Sequence, residues 1–273
     1  MRATPPRPKR RLGQNFLVHP GLAERLVASL PLEPEDTVIE LGPGRGILTR
    51  PLARRCRRVR ALELDPEAVA FLREELKGLP NVEVIPGDML SYPLEGLADS
   101  GKGGLKVVGN LPYNVSTPLL LRLVEMRREM AWAGLMFQRE VAQRIASPPG
   151  TRAYGTISVL TQYAATVRPI LDLSPGSFYP RPKVWSSFLI LQFRPPSKEV
   201  ESFELFREVV HAAFRHRRKK LINSMRGLRG YSSEQLLYAL SQAKIDTRYR
   251  GEELSVEQFV ILTNILAKMA KKG

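Results

Sequence analysis

A glycine run directly after a strand-like apolar segment lets main-chain N–H groups meet a ligand, and this chain has one in Glu40-Leu41-Gly42-Pro43-Gly44-Arg45-Gly46, preceded by Val38-Ile39. Glycine allows the tight turn and the close approach. In a dinucleotide-binding loop the third glycine would fall at Ile47, one position beyond Gly46. The loop is E-x-G-x-G-x-G instead, and its Glu40 suits a cofactor whose sulfonium and amino groups are cationic. Taken alone, the motif reads equally well as a glycine-rich structural turn. Two further carboxylates alter the balance. Glu63 closes the next strand-like run, near the ~20-residue separation from Gly42 expected of an acid that accepts hydrogen bonds from ribose hydroxyls. Asp88, in Gly87-Asp88-Met89-Leu90, follows a third run, placed to accept from an adenine amine. Each acid by itself is commonly a solvated loop residue or a helix cap. Three in register at the carboxyl edge of one sheet mark a nucleotide site.

The elements that must hold these residues alternate in type. Strand-like runs centre on 38–41, 59–62, 82–85, 106–108 and 134–137. Between them helices are expected to open at Asp65-Pro66-Glu67 and Ser116-Thr117-Pro118, and to run from Gln138 to Ser147. Thr49 reads as a cap with Pro51 in the first turn behind it. That alternation predicts βαβ units around a mainly parallel sheet, an α/β fold. Two more strands are expected over 166–173 and 187–193, then a linker at Pro195-Pro196. Beyond it, 203–214, 233–241 and 256–268 carry apolar residues at helical spacing, which predicts a small all-α C-terminal domain. The expected domains are therefore 1–195 and 196–273, with 1–13, basic and proline-rich, as a mobile tail.

Composition narrows the function classes. Lys and Arg number 42 against 27 Asp and Glu, a formal net charge of +15, which puts a polyanion first among partners. The excess is concentrated: between Phe214 and Gly230 lie Arg215, Arg217, Arg218, Lys219, Lys220, Arg226 and Arg229 with no acid. A solvated helix face is the usual reading of such a run; tracking of an RNA backbone fits it better here. A single cysteine, Cys56, leaves no disulfide framework and agrees with a reducing cytosol, and three histidines without paired spacing give no support to a metal site. No apolar run reaches the ~18 residues a membrane span needs.

The fourth strand runs into Gly109-Asn110-Leu111-Pro112-Tyr113. The Asn-Leu-Pro-Tyr run resembles the signature of methyltransferases that modify an exocyclic amine of a base. Gly13-Gln14-Asn15-Phe16-Leu17, Gln138 to Ile145, Ala153-Tyr154-Gly155, Ser158 to Tyr163 and Phe178-Tyr179-Pro180-Arg181-Pro182-Lys183-Val184 extend the likeness over almost the whole chain. Together they resemble the small-subunit ribosomal RNA adenine N6,N6-dimethyltransferases. The resemblance implies a Rossmann-like class I methyltransferase sheet with S-adenosylmethionine as cofactor, bound by Asn15, Leu17, Glu40, Gly42, Gly44, Glu63, Asp88 and Asn110. It implies that Asn110 and the Leu111 carbonyl hold the target amine and that Tyr113 and Phe178 stack on the base. Lys183, Arg217, Arg218, Lys219 and Lys220 are expected on RNA phosphates. The implied reaction is dimethylation of two adjacent adenosines in the 3′-terminal hairpin loop of that RNA. The partner is the immature small subunit, and the protein is expected to be monomeric and cytoplasmic. Methylation of a large-subunit adenosine, as in macrolide resistance, shares the Asn-x-Pro-Tyr and Pro-x-Pro-Lys-Val runs; the stretch from Ala153 to Tyr163 favours the small subunit. A non-catalytic assembly factor would not need Asn110 and Tyr113 intact.

Overall fold

A computed structural model describes residues 4–97 and 103–270. Two compact units make up the chain, one from residues 1–142 and 166–194, the other from 143–165 and 195–273. The first opens with a two-residue strand β1 (Phe16–Leu17) and helix α1 (Pro20–Ala28). It continues as β2 (Thr37–Leu41), α2 (Thr49–Ala53), β3 (Arg58–Glu63), α3 (Pro66–Glu75), β4 (Val82–Pro86), β5 (Leu105–Gly109), α4 (Tyr113–Glu125) and β6 (Met130–Gln138). Helix α5 (Arg139–Ala146) carries the chain into the second unit, where α6 (Thr156–Ala164) follows. Strands β7 (Ala165–Leu173), β8 (Phe178–Tyr179) and β9 (Ser186–Phe193) then complete the first unit. The second is finished by α7 (Phe203–Phe214), α8 (Leu221–Ser224), α9 (Ser233–Gln242) and α10 (Val256–Ala270).

Seven strands form one sheet in the order β4-β3-β2-β5-β6-β9-β7, and β1 pairs antiparallel with β8 apart from it. From β4 to β6 every pairing is parallel, and β9 runs antiparallel to β6. Parallel strands covered on both faces must be apolar throughout. Val38, Ile39 and Leu41 of β2 and almost all of β6 are buried accordingly, which makes the buried Glu40 the exception in its strand. Strand order reverses between β2 and β5, the crevice where open α/β sheets bind ligands.

Asp65 caps α3 as expected, its side chain accepting from the Glu67 N–H. Two starts differ from expectation. Thr49 lies inside α2, whose N-cap is Leu48, and α4 begins at Tyr113, one turn before the predicted Ser116. Cys56 is buried after α2, its thiol donating to the Leu52 carbonyl, and burial pushes its pKa up to about 11.

In the second unit α6 and α10 pack with α7 around a ring cluster, and α9 packs against α10. Tyr163 lies 4.7 Å from Phe206, and Tyr154 meets Phe214 edge-on at 6.0 Å. The Tyr163 hydroxyl donates to Glu199 and accepts from the Val200 N–H. Residues 143–165, assigned from sequence to the first domain, thus belong with the C-terminal helices. Their apolar face has its partners there, a pairing that no local pattern displays.

Candidate active site

The loop after β2 closes a cavity at the reversal of strand order. Asn15, Glu40, Gly44, Glu63, Asp88 and Asn110 all line it, as do Leu17 and Gly42. The cofactor residues expected from sequence therefore converge on one cavity.

Gly42, Gly44 and Gly46 have φ of +65°, +58° and +73°, a region that favours glycine. At Gly44 the close approach is severe, since a Cβ there would lie 2.7 Å from the ring of Phe16. Glu63 locks this turn. Its two oxygens accept from the Gly44 N–H at 3.0 Å and the Asp65 N–H at 2.9 Å, leaving their other lone pairs for a ligand. Burial raises its pKa against these hydrogen bonds. Glu40 is 1% exposed, and its Oε2 has no hydrogen-bond partner among the described residues. Burial pushes its pKa up to about 8, and the charge of Glu63 adds to the rise. A buried acceptor without a partner is costly, and a cationic ligand group would relieve it. Asp88 makes a tight turn, with Oδ1 accepting from the Leu90 N–H at 2.9 Å. Leu64 and Met89, one residue beyond Glu63 and Asp88, add apolar wall.

At the reacting end, the Asn110 Nδ2 donates to the Asn15 carbonyl at 3.0 Å. That bond fixes the amide, so Oδ1 is the end left for a substrate. Asn15 thus contributes through its main chain, while its own side chain turns back to the Gly13 carbonyl. Pro112 is the N-cap of α4, which places half-buried Tyr113 in the first turn with its hydroxyl 2.6 Å from Ser186 Oγ. Leu111, between Asn110 and Pro112, is buried.

Three expectations need correction. The ring of Phe178 is 2% exposed and sits in the core with Leu17, Leu26 and Leu173, so it presents no stacking face; Tyr179 is the exposed ring of that run. In the segment before Gly13, the described residues 4–12 are tied to the rest of the unit. Lys9 pairs with Asp65 at 2.7 Å and Glu67 at 3.0 Å, and the Pro6 carbonyl accepts from Arg45 at 2.8 Å. Finally, Arg215 to Lys219 form a turn between α7 and α8, not a helix face. Within it Arg217, itself exposed, donates to the carbonyls of Arg152 and Tyr154 at 2.8 and 2.6 Å, which ties the turn to the stretch before α6. Arg218, Lys219 and Lys220 are exposed, as is Lys183.

Sequence reasoning missed Ser186, Lys9 and Arg122, whose guanidinium donates to the Met89 and Tyr92 carbonyls and steadies the Asp88 turn. These are long-range contacts between residues of common type, and no spacing signals them.

Sheet order, glycine loop and acids at successive strand ends define a Rossmann-like class I methyltransferase. The chain belongs to the ribosomal RNA adenine dimethylase family, whose model matches residues 7–268. It is 40% identical to "Ribosomal RNA small subunit methyltransferase A" of Geobacter metallireducens over all of both chains. Among solved structures, a dimethyladenosine transferase from Plasmodium falciparum superposes with TM-score 0.78 at 22% identity, covering 94% of this chain and 98% of that one. The 23S rRNA methyltransferase ErmE superposes with TM-score 0.70 at 27% identity, covering 93% of this chain and 100% of that one. The cofactor of the class is S-adenosylmethionine. The partnerless Glu40 oxygen fits it, in a cavity that Gly42 and Gly44 also line.

Proposed function

We propose that this chain dimethylates the N6 amines of two adjacent adenosines in the 3′-terminal hairpin loop of small-subunit ribosomal RNA. It acts as a monomer on the immature subunit in the cytoplasm. Family membership supports the reaction class, and one observation carries the chemistry: the Asn110 amide, oriented by the Asn15 carbonyl, opens its oxygen at the cofactor cavity. The 40% identity to a small-subunit enzyme, against 27% to a large-subunit one, favours the small subunit.

An adenine N6 is a weak nucleophile because its lone pair is delocalised into the ring. Asn110 Oδ1 and the Leu111 carbonyl accept its two N–H protons, which holds the nitrogen and favours its pyramidal form. Tyr113 stacks on the flipped base, its ring pinned by Ser186. S-adenosylmethionine, when bound, supplies the electrophilic methyl group. Glu63 holds the ribose hydroxyls, Asp88 the adenine amine, and Glu40 the cationic end, over a floor of Gly42 and Gly44. The methylated nitrogen is cationic and acidic, so water takes its proton and no side-chain base is needed. Lys183, Arg218, Lys219 and Lys220 hold phosphates.

Glu40 gives a pH dependence. With a pKa near 8 it is mostly protonated at pH 7, and a cationic ligand favours its charged form, so binding releases a proton. Cofactor affinity is therefore expected to fall as pH drops below 8, by about tenfold per unit until the bound-state pKa is passed. Calorimetry in buffers of different ionisation enthalpy measures the released proton, and Glu40→Gln abolishes both release and slope. A slope that survives in Glu40→Gln belongs to another group.

Charge reversal at Arg218 and Lys219 together is expected to flatten the salt dependence of RNA binding by about 1.4–1.8 in log–log slope. Cofactor affinity stays unchanged. An unaltered slope would make this turn an ordinary solvated surface.

A further inference from the structure

Beside the cofactor cavity the first unit has a second, wider cleft of about 740 Å³, lined by Arg7, Arg10, Gln14, Asn15, Arg45 and Tyr179 among others. Its wall holds three arginines and no carboxylate. Arg45 is already engaged, with the Pro6 carbonyl and over the Phe16 ring at 4.7 Å. Arg7 and Arg10 are exposed on the N-terminal segment that the Lys9 ion pairs fasten in place. Tyr179 is 55% exposed, with Arg45 over its ring at 5.9 Å. Guanidinium groups beside an exposed ring suit a single-stranded nucleotide, whose base stacks while its phosphates take the charge. The cleft shares Gln14, Asn15 and Arg45 with the cofactor cavity, and Asn15 is the residue whose carbonyl orients Asn110.

We propose that this cleft takes the nucleotide adjoining the target adenosine, its base stacked on Tyr179 and its phosphates on Arg7 and Arg10. The inference rests on the RNA methyltransferase reading above. It assigns the basic N-terminal segment a task in substrate choice: the enzyme reads a neighbour as well as the reacting base. It also gives Tyr179 a role distinct from that of Tyr113.

The test uses the full-length protein and a substrate-loop RNA in which 2-aminopurine replaces the adenosine beside the target. Stacking on Tyr179 quenches its fluorescence in the wild type. Tyr179→Ala is expected to abolish the quench and raise KM for RNA about tenfold, with kcat at saturating RNA within about twofold. Tyr179→Phe retains both quench and KM. The double variant Arg7→Ala/Arg10→Ala is expected to raise KM about tenfold and lower the salt slope by about 1.4. S-adenosylmethionine affinity, unchanged in every variant, serves as the control for folding. A Tyr179→Ala protein that keeps the quench and the KM overturns the proposal, as does one whose KM rises only in step with a loss of cofactor affinity. If the arginine variant weakens RNA binding and Tyr179→Ala does not, the cleft is a general anion surface and the nucleotide site is refuted. A wild type that methylates no RNA at all overturns the functional reading itself, an outcome seen before any variant is compared.

Discussion

Asn110→Ala is expected to lower the rate of methyl transfer by about 10²–10³ at saturating cofactor while RNA affinity barely changes, as loss of one preorganised polar group does in other enzymes. The structure gives two reasons for the size of the effect. Asn110 Nδ2 is committed to the Asn15 carbonyl, so the oxygen is held at the cavity before substrate arrives. Alanine also strands that carbonyl, which loosens the segment around Asn15. Because Asn110 lines the cofactor cavity too, part of the loss falls on cofactor binding, and rates must be compared at saturation. Single-turnover assays on one RNA separate the two. Wild type yields N6,N6-dimethyladenosine and the variant little of either methylation stage. A variant that turns over normally once saturated would assign Asn110 to cofactor binding alone.

The second large effect is expected at Gly44. Alanine there carries a φ of +58° and a Cβ 2.7 Å from Cε1 and 2.9 Å from Cδ1 of Phe16. The left-handed conformation costs a non-glycine residue ~1–2 kcal/mol, and overpacking adds ~1–3 kcal/mol. Phe16 cannot give way easily, since it is 8% exposed, pairs with Tyr179 across β1 and β8, and lies under Arg45. Any shift of the loop also draws the Gly44 N–H from Glu63. Gly44→Ala should therefore lower the melting temperature and weaken S-adenosylmethionine binding by about 30-fold or more, the equivalent of ~2 kcal/mol. Gly42→Ala should be milder, because the nearest atom to its Cβ is the terminal methyl of Met89 at 3.3 Å. Equal effects at the two glycines would show that conformation alone, and not the Phe16 contact, sets the cost.

The parts of the fold that the sequence displays are those written in local pattern. Strand ends are legible where an apolar run stops at a glycine or an acid, and those stops mark Glu40, Glu63, Asp88 and Asn110, which converge on one cavity. Asp65 was readable as a cap because proline and glutamate follow it. What escaped depends on partners far along the chain. Phe178 looks like a stacking residue in its proline-rich run, yet β8 pairs with β1 and turns the ring into the core. The N-terminal segment reads as a mobile basic tail, yet Lys9 finds Asp65 and Arg45 finds the Pro6 carbonyl. Arg217 is one basic residue among many until Arg152 and Tyr154 present their carbonyls to it. The stretch from Tyr154 to Tyr163, which carries much of the family likeness, owes its residues to the packing of the second unit around Phe206 and Phe214.

The reaction and its RNA target are measured together by transfer of labelled methyl groups from S-adenosylmethionine to undermethylated small ribosomal subunits, with large subunits in parallel, followed by nucleoside analysis. Label is expected in small-subunit RNA alone, recovered as N6,N6-dimethyladenosine from two adjacent positions of the 3′-terminal hairpin loop. Label in large-subunit RNA, or on any atom other than adenine N6, would contradict the proposed reaction and target.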